Sequence, residues 1–529
     1  MIGRTSKILS LLPIFIGIGL TIVFMLGVRN AGVSLSLAAA NASDTRYVAA
    51  GGSDTGNDCT SSSSPCATIQ HAVDQANPAD EVRVAEGTYS DVFEITHTNT
   101  YTYTQVVFID KALTLRGGYT TSNWENSSAT LNPTILNPGG AGRGVTIIDT
   151  INDLVTVQSF TITGGDYTGL GNPPGASNMK CRSTDSCGGG LFVNNSTVNL
   201  SNLTITGNTA GSVDSEGGGM YLWSARTTTI DSVDVSNNTA HGGGGIAVTN
   251  QDWPMTIRNS KFNNNTASHS GGGMYFRSNI ENLVTIEGCQ INDNKATDGD
   301  GGGIRARLST NGLVLQMDKV YVQNNQAEDA GFGLYLDAAG IVTPTARLNN
   351  IILSGNKRIE GSTETPEDAV ITISPIYPSM YVELVHITAA DNPVENFLYA
   401  EPRDQAGKFV TVTLTNTLLS GFDYGFAALE YTDTDVTIQH QSTLYFNLGN
   451  LHNPLGGSPT FTAVDQYWGN PHLKVDYHLG PNSTAIDGGY APSLSVDIDG
   501  NTRPYGIWND VGADEWVQLF VYLPLIGKD

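Results

Sequence analysis

The middle of the chain repeats one pattern. Two apolar residues that flank one other residue are followed, after a gap of two residues instead of one, by a second such pair and then by asparagine. Six copies run without a break, and the intervals between them are 27 to 31 residues. The copies begin at Val198, Thr228, Met255, Val284, Leu315 and Ala346 and end at Asn208, Asn238, Asn265, Asn294, Asn325 and Asn356. A fixed period in this range indicates stacked structural repeats.

Within each copy, apolar residues alternate with polar ones, which is the period of a β-strand with one buried face. The extra residue predicts a corner between two short strands. A glycine signature with a third alternating strand precedes each copy, at 188–191, 217–220, 243–246, 271–274, 301–304 and 331–334. A doubly wound parallel sheet is excluded because it buries both faces and needs long crossovers.

These features predict an all-β chain that folds as a right-handed parallel β-helix, a solenoid of about nine to ten coils. The asparagine at the end of each copy is then expected to stack on its counterpart in the next coil as an amide ladder. Simple turn propensity is the alternative explanation for these asparagines, and the two explanations are compatible.

The first residues predict export. Residues 8–28 are apolar and uncharged, and basic residues precede them. This stretch is either a signal peptide, with Ala40-Asn41-Ala42 as the cleavage site, or a retained membrane anchor that would be the chain's only contact with a membrane. The protein is therefore expected outside the cell or on its surface.

Three regions follow from these patterns. Residues 1–42 are assigned to the signal peptide or anchor, residues 43–450 to the β-helix with its N-terminal cap, and residues 451–529 to a C-terminal capping region and tail. A helix over 64–77, with Ser64 as N-cap, is expected to cover the first coil. The region after 450 is expected to fold over the last coil.

The five cysteines agree with an exported chain. Cys59 and Cys66 flank a short polar loop, as do Cys181 and Cys187, and closely spaced pairs of this kind are typical of local disulfides. Cys289 occupies an inward position of the repeat and is expected to be a buried thiol.

The charge balance limits the possible partners. The chain has 51 acidic and 26 basic residues, and its net charge is −25. A nucleic-acid partner is excluded because phosphate backbones demand clustered lysine and arginine. The acidity is otherwise that of a soluble exterior surface.

The chain resembles exported bacterial β-helix repeat proteins. The segments 262–267 and 271–275 are similar to the polymorphic outer-membrane-protein repeat of adhesins and autotransporters. The opening, at 47–52 and 86–89, and the ending, at 497–504 and 510–513, are similar to those of pectin-lyase-like β-helix domains. The resemblance implies the fold; it leaves function open because this fold includes lyases, hydrolases and adhesins.

Candidate catalytic and metal residues are few. The signature motifs of polygalacturonase-type hydrolases are absent, and the tightest acidic pair in the repeats, Asp298 and Asp300, is expected to form a polar turn. Asp497, Asp499 and Asn501 alternate as in an oxygen cage for Ca²⁺, but turn chemistry is the favoured explanation. No other cofactor is predicted, and the sequence does not indicate an oligomeric state.

One surface strip is the strongest candidate for ligand binding. If the third strand of each coil turns its apolar residues inward, its other residues align on an outer face. This strip comprises Tyr221, Trp223, Tyr275, Arg277, Arg305, Arg307 and Tyr335. Aromatic rings stack on sugars and arginine pairs with uronate carboxylates, although the same side chains also pack on one another along a ladder.

The sequence thus favours an exported, non-catalytic β-helix protein that is adhesin-like or binds glycans. The alternative is a polysaccharide lyase or glycoside hydrolase that acts on acidic polysaccharide along the same strip.

Overall fold

The computed structural model describes residues 43–517, except for 98–100, 169, 171–186, 212, 378, 404–405 and 491–493. The apolar segment 8–28, the cleavage site at 40–42, Cys181 and the tail Leu519–Ile526 lie outside the described residues. Across the described part of the chain, no helix has both the length and the apolar character needed to cross a bilayer.

Short strands account for nearly all regular structure. Up to the first clear repeats the elements are β1 Thr45–Val48, α1 Ile69–Gln75, β2 Glu81–Ala85, β3 Gly87–Tyr89, β4 Phe93–His97, β5 Tyr101–Ile109, β6 Leu113–Tyr119, β7 Thr134–Leu136, β8 Arg143–Ile148, β9 Leu154–Gln158 and β10 Thr161–Thr163. The repeats contain β11 Leu191–Asn194, β12 Thr197–Ser201, β13 Thr204–Thr206, β14 Thr209–Ala210, β15 Met220–Trp223, β16 Thr228–Asp231, β17 Asp234–Ser236, β18 Thr239–Gly242, β19 Ile246–Thr249, β20 Met255–Arg258, β21 Lys261–Asn263, β22 Thr266–Ser270, β23 Met274–Ile280, β24 Val284–Glu287, β25 Gln290–Asn292, β26 Lys295–Ala296, β27 Ile304–Leu308, β28 Gly312–Gln323, β29 Gln326–Ala327, β30 Leu334–Ala338, β31 Pro344–Ser354 and β32 Lys357–Arg358. The last elements are β33 Ala369–Ile373, β34 Met380–Ala390, β35 Asn396–Ala400, β36 Phe409–Ser420, β37 Tyr424–Leu429, β38 Asp435–Phe446, β39 Asn450–Gly456 and β40 Thr460–Trp468.

These strands stack into three sheets that wind as a parallel β-helix, as the repeat predicts. Counted over the residues that the structure describes, sheet 1 has 21 strands, sheet 2 has 13 and sheet 3 has 6. Only the hairpin of β4 and β5 pairs antiparallel among the described strands. Sheet 1 runs from β1 through β2, β6, β9, β12, β16, β20, β24, β28, β31, β34, β36 and β38 to β40, so the stack is longer than the nine to ten coils expected.

The interior columns have the predicted register. Leu200 pairs with Ile230 and Ile230 with Ile257, and none of the three side chains is exposed. The extra residue of each copy is the corner between two strands of sheet 1. Asn202 and Ser232 adopt φ values of 51° and 58° there, so a left-handed residue turns the chain while the apolar residues on both sides stay inward.

The asparagine ladder is confirmed by its hydrogen bonds. The Nδ2 of Asn265 donates to Oδ1 of Asn294 at 3.0 Å, and the Nδ2 of Asn294 donates to Oδ1 of Asn325 at 3.0 Å. The ladder continues without interruption from Asn208 to Asn392, and its members are buried.

The N-terminal cap differs from the prediction at its start. The helix begins at Ile69, with Thr68 and not Ser64 as N-cap, and its apolar stripe of Ile69, Ala72, Val73 and Ala76 is buried as expected. The chain before it is extended because the backbone of Cys66 pairs with β1, its amide donating to Tyr47 at 2.9 Å. The predicted disulfide between Cys59 and Cys66 is present.

The C-terminal region differs more. Strands β39 and β40 extend sheets 2 and 1 past the expected boundary at 450. The cap expected over the last coil is not what the described residues after Trp468 form; they pack along the outer face of sheet 1. The amide of Gly512 donates to the Asn416 carbonyl at 2.9 Å, and the amide of Ala513 donates to the Thr388 hydroxyl at 2.9 Å. The outward face of sheet 1 is apolar in these coils, at Ile352, Leu418 and Leu444, and the segment buries it.

The last coils hold a histidine in the apolar interior. His440 lies in register with Leu414 and is 1% exposed. Its ring stacks on Phe426 at 4.9 Å, and its Nδ1 lies 2.8 Å from the Tyr445 hydroxyl. Burial, with His452 nearby, lowers the pKa of His440 to about 4. The fold therefore holds the neutral imidazole.

This burial predicts an acid-sensitive fold. A histidine with a depressed folded pKa stabilises the fold fully above its unfolded pKa of about 6.5, and this contribution is lost as the pH falls toward 4. We expect the free energy of unfolding to decrease by on the order of 1–2 kcal/mol between pH 7 and pH 5 because of His440. The decrease should be smaller by this amount in His440→Leu, measured by urea unfolding at both pH values. An unchanged pH dependence would contradict the assignment, and the exposed His472, replaced by asparagine, is the control.

Candidate ligand-binding face

The outward side chains of sheet 2 form the row that the sequence predicts. Parallel pairing places Phe192 beside Tyr221, Tyr275 beside Arg305, and Arg305 beside Tyr335. A neighbouring row pairs Asn194 with Trp223, and Arg307 with Asp337. We call this surface the sheet 2 face.

The tyrosines of the predicted strip are buried, so the expectation that they are free to stack on sugars is wrong. Tyr221 is 0% exposed, Tyr275 9% and Tyr335 2%, and Trp223 is half-buried. The Tyr221 ring stacks on Phe192 at 5.9 Å, and Phe192 in turn packs against Tyr103 of β5 at 6.2 Å. The hairpin of β4 and β5 shields this end of the row, where the aromatic residues pack on one another.

The arginines of the strip are each matched by a carboxylate. Arg277 pairs with Glu216, both being buried. Arg307 donates two hydrogen bonds to Asp337, at 2.7 and 2.9 Å. The arginines of these two coils, β23 and β27, are internal ion-pair partners, which explains why three neighbouring arginines occur in an acidic chain.

Arg305 is held from both sides. Its guanidinium lies 5.8 Å from the Tyr275 ring centre and 5.0 Å from that of Tyr335, in the coils before and after it. It also pairs with Asp300 at 3.0 Å. Asp300 is thus an ion-pair partner, in addition to lying in the expected turn.

An exposed arginine that the sequence reasoning missed lies over the next coils. Arg403 donates to the Tyr335 hydroxyl at 3.0 Å and to the Ser374 hydroxyl at 3.0 Å. Below it, the buried carboxylate of Glu401 accepts hydrogen bonds from the hydroxyls of Tyr399, at 3.1 Å, and Tyr431.

The charges of carboxyl groups act on this arginine and on one another. Burial raises the pKa of Glu367, and the charge of Glu401 raises it further, while Arg403 acts in the opposite direction. Burial also raises the pKa of Asp300, against the effect of Arg305. We call the shared group the Arg403 cluster; it consists of Asp300, Arg305, Tyr335, Glu367, Glu401 and Arg403.

The arginines of the cluster stay charged. Burial disfavours the charged form of Arg403, but Tyr335 and Glu401 outweigh it, and the pKa is raised. The same balance, with Tyr275 and Asp300 as the opposing groups, raises the pKa of Arg305. Neither guanidinium is therefore suited to remove a proton, as a base in an elimination reaction would. The cluster instead offers fixed donors beside fixed acceptors.

The sequence contained a weak signal for this site. Glu401-Pro402-Arg403 directly follows β35, but its coil lacks the glycine signature that aligned the earlier ones. Glu367 comes from the loop before β33. Their proximity depends on the path of two irregular turns, which no spacing rule specifies.

The structure also describes most of the remaining candidate residues, namely the possible Ca²⁺ ligands and the cysteines. Asp497 accepts hydrogen bonds from the backbone of Asp499, Asn501 and Glu515, at 2.9, 2.7 and 3.1 Å. Its carboxylate thus organises a turn, in line with the explanation favoured from the sequence, and the Ca²⁺ expectation stays untested. Cys187 is disulfide-bonded, and its expected partner Cys181 lies outside the described residues. Cys289 is a buried free thiol.

A comparison with protein families supports the β-helix fold. Residues 143–327 match the family model described as a right handed beta helix region. These residues form a right-handed β-helix. A search of curated proteins found no match. Among solved structures, the β-helix is similar to pectate lyase Pel9A, with 13% sequence identity, a TM-score of 0.43, and coverage of 89% of this chain and 96% of that chain. At this level the likeness carries no conclusion about activity.

Proposed function

We propose that this β-helix protein is an exported glycan-binding protein and that the Arg403 cluster is its binding site. The observation that carries the proposal is the exposed residue Arg403, whose guanidinium donates to the Ser374 hydroxyl at 3.0 Å, while that hydroxyl donates to the buried carboxylate of Glu401 at 3.5 Å. Sugar hydroxyls both donate and accept hydrogen bonds, so a site that presents fixed donors next to fixed acceptors matches them.

The electrostatics favour a neutral glycan over an acidic one. The chain has a net charge of −25, and the cluster holds more carboxylates than arginines. A uronate carboxylate would meet repulsion from these groups, which lowers both the rate and the strength of its association. This differs from the acidic polysaccharide that the sequence suggested, because the sequence did not show how the arginines are paired.

Arg403→Ala tests the site. We expect the affinity for a neutral oligosaccharide to fall at least about tenfold, since a hydrogen bond to a charged group contributes about 1.5–3 kcal/mol. The measurement is calorimetric titration with cello-, xylo- and manno-oligosaccharides, beside oligogalacturonate of equal length.

The matched control is Arg258→Ala. This arginine is exposed on sheet 1 and pairs with Asp231 at 2.8 Å. Its replacement should leave glycan affinity unchanged. Equal affinity of wild type and Arg403→Ala, or tighter binding of oligogalacturonate than of the neutral sugars, would contradict the proposal.

A second candidate function is hydrolysis of the bound glycan. Asp300 and Glu367 are two carboxyl groups of one cluster whose pKa values are both raised, as the general acid of a glycosidase requires. Release of reducing ends that grows with time and disappears in Glu367→Gln would favour the hydrolase. Binding without turnover would favour the adhesin-like role.

Export is supported by the apolar segment 8–28 and by the disulfide between Cys59 and Cys66, a bond typical of oxidising compartments. Mass spectrometry of the protein from the culture medium and from membranes tests it. A mature chain that starts near residue 43 would identify a cleaved signal, and an intact N terminus in the membrane fraction would identify an anchor. Recovery of the intact chain in the cytoplasm would contradict export.

A further inference from the structure

Three stretches of the C-terminal segment meet over sheet 1 at a group of side chains that the glycan site does not involve. His478, Asp499 and Asp514 come from separate turns, yet one ligand atom of each lies within 4.8 Å of the other two. Asp514 is 5% exposed. The fold thus brings one imidazole and two carboxylates together, and one of these carboxylates is almost fully buried.

The imidazole is oriented by its other nitrogen. The Nδ1 of His478 lies 3.1 Å from the backbone oxygen of Asp476 and 3.2 Å from its carboxylate. A proton on Nδ1 satisfies this contact and leaves the lone pair of Nε2 free. The same carboxylate–histidine arrangement orients histidine ligands in metalloproteins.

The contact at Nε2 is close without being a hydrogen bond. This atom is buried and has no hydrogen-bond partner, although Oδ2 of Asp499 lies 2.9 Å away. Ligand atoms about 2.0–2.2 Å from one ion lie on the order of 3 Å from each other. The spacing of these two atoms is that of neighbouring ligands on a metal ion.

The charge of the group also calls for a cation. Asp514 is almost fully buried, and its Oδ2 accepts a hydrogen bond from the Leu479 amide at 2.7 Å, which fixes this carboxylate in the group with Asp499. The closest ion pair of the neighbouring Arg503 is with Glu515, at 2.8 Å. A divalent ion would neutralise the two carboxylates of the group, Asp499 and Asp514.

We propose that His478, Asp499 and Asp514 bind a divalent cation of the zinc class. The ion would link three turns of the C-terminal segment over the outer face of sheet 1. An imidazole nitrogen with carboxylate oxygens suits Zn²⁺, whereas Ca²⁺ takes oxygen ligands throughout. The adjacent Leu479 packs with Leu418 and Leu444 of sheet 1, so metal binding at His478 would stabilise the packing of the segment against the sheet.

The test is metal binding by the full chain after treatment with a chelator. We expect one Zn²⁺ per chain in equilibrium dialysis, a rise in Tm on adding Zn²⁺, and weaker effects of Ca²⁺ and Mg²⁺. His478→Asn and Asp499→Asn should each weaken Zn²⁺ binding by at least about tenfold, and Asp476→Asn, which changes only the positioning residue, by about tenfold.

His472→Asn is the matched control, because His472 is an exposed histidine of the same hairpin that does not belong to the proposed ligand group. Its affinity should equal that of wild type. Circular dichroism checks that each variant folds. Absence of saturable Zn²⁺ binding, equal binding by His478→Asn, or a Ca²⁺ affinity higher than that for Zn²⁺ would overturn the proposal. Glycan titrations of the same variants report on the Arg403 cluster separately.

Discussion

Gly271→Ala is expected to lower the free energy of unfolding by about 2–5 kcal/mol. Gly271 opens the glycine signature of its coil with φ +68°, and an added Cβ would lie 2.5 Å from the Met274 carbonyl oxygen and 2.8 Å from the Tyr275 Cβ. The left-handed conformation costs about 1–2 kcal/mol for an L-residue, and the steric overlap adds about 1–3 kcal/mol. Guanidinium unfolding followed by circular dichroism measures the change.

Gly56→Ala is the matched control. Gly56 has nearly the same conformation, with φ +65°, but no atom lies within 4 Å of an added Cβ. This variant should lose only the conformational part, about 1–2 kcal/mol. Equal losses in the two variants would show that the close approach of backbone to neighbouring side chains at Gly271 is unimportant, contrary to the structure.

Asn294→Ala is expected to cost about 2–4 kcal/mol, because it interrupts the amide ladder in its middle. The side chain donates to the Phe262 carbonyl at 2.7 Å and to Oδ1 of Asn325 at 3.0 Å. It also accepts from the backbone amide and the Nδ2 of Asn265, both at 3.0 Å. All of these groups are buried, so their loss leaves polar atoms without partners and without water.

Asn126→Ala controls for the loss of an asparagine as such. Asn126 is exposed, and its replacement should change the free energy of unfolding by less than about 0.5 kcal/mol. Because coils contact mainly their neighbours, proteolysis of Asn294→Ala should begin near the coils of Asn265 and Asn325. A stability within experimental error of wild type would mean that turn propensity, and not the ladder, selects asparagine here.

The fold could be predicted from short-range spacing because every coil must bury its apolar residues on one face and turn at a corner. The alternation around Leu200, Ile230 and Ile257 requires one buried face, and the extra residue at Asn202 and Ser232 can only be a corner. The length of the stack was underestimated, since the first and last coils vary in their turns and do not repeat the pattern.

The ends of the chain were predicted less well. The start of the helix at Ile69 depends on the pairing of Cys66 with β1, and the path of the C-terminal segment depends on an apolar outer face at Leu418 and Leu444. Both are contacts between segments that lie far apart in the chain.

The alignment of Tyr221, Tyr275, Arg305 and Tyr335 in one row was determined by the sequence alone, because register in a parallel stack follows from the position of each residue in its repeat. Whether those side chains meet solvent was decided by the tertiary structure, through Phe192, Asp300 and the hairpin of β4 and β5 that cover or pair them. The tertiary structure likewise decided that Arg403 lies near Glu401 and that His478 lies near Asp514. Periodic spacing fixes which residues stack from coil to coil, whereas burial and charge pairing depend on irregular turns whose course no period encodes.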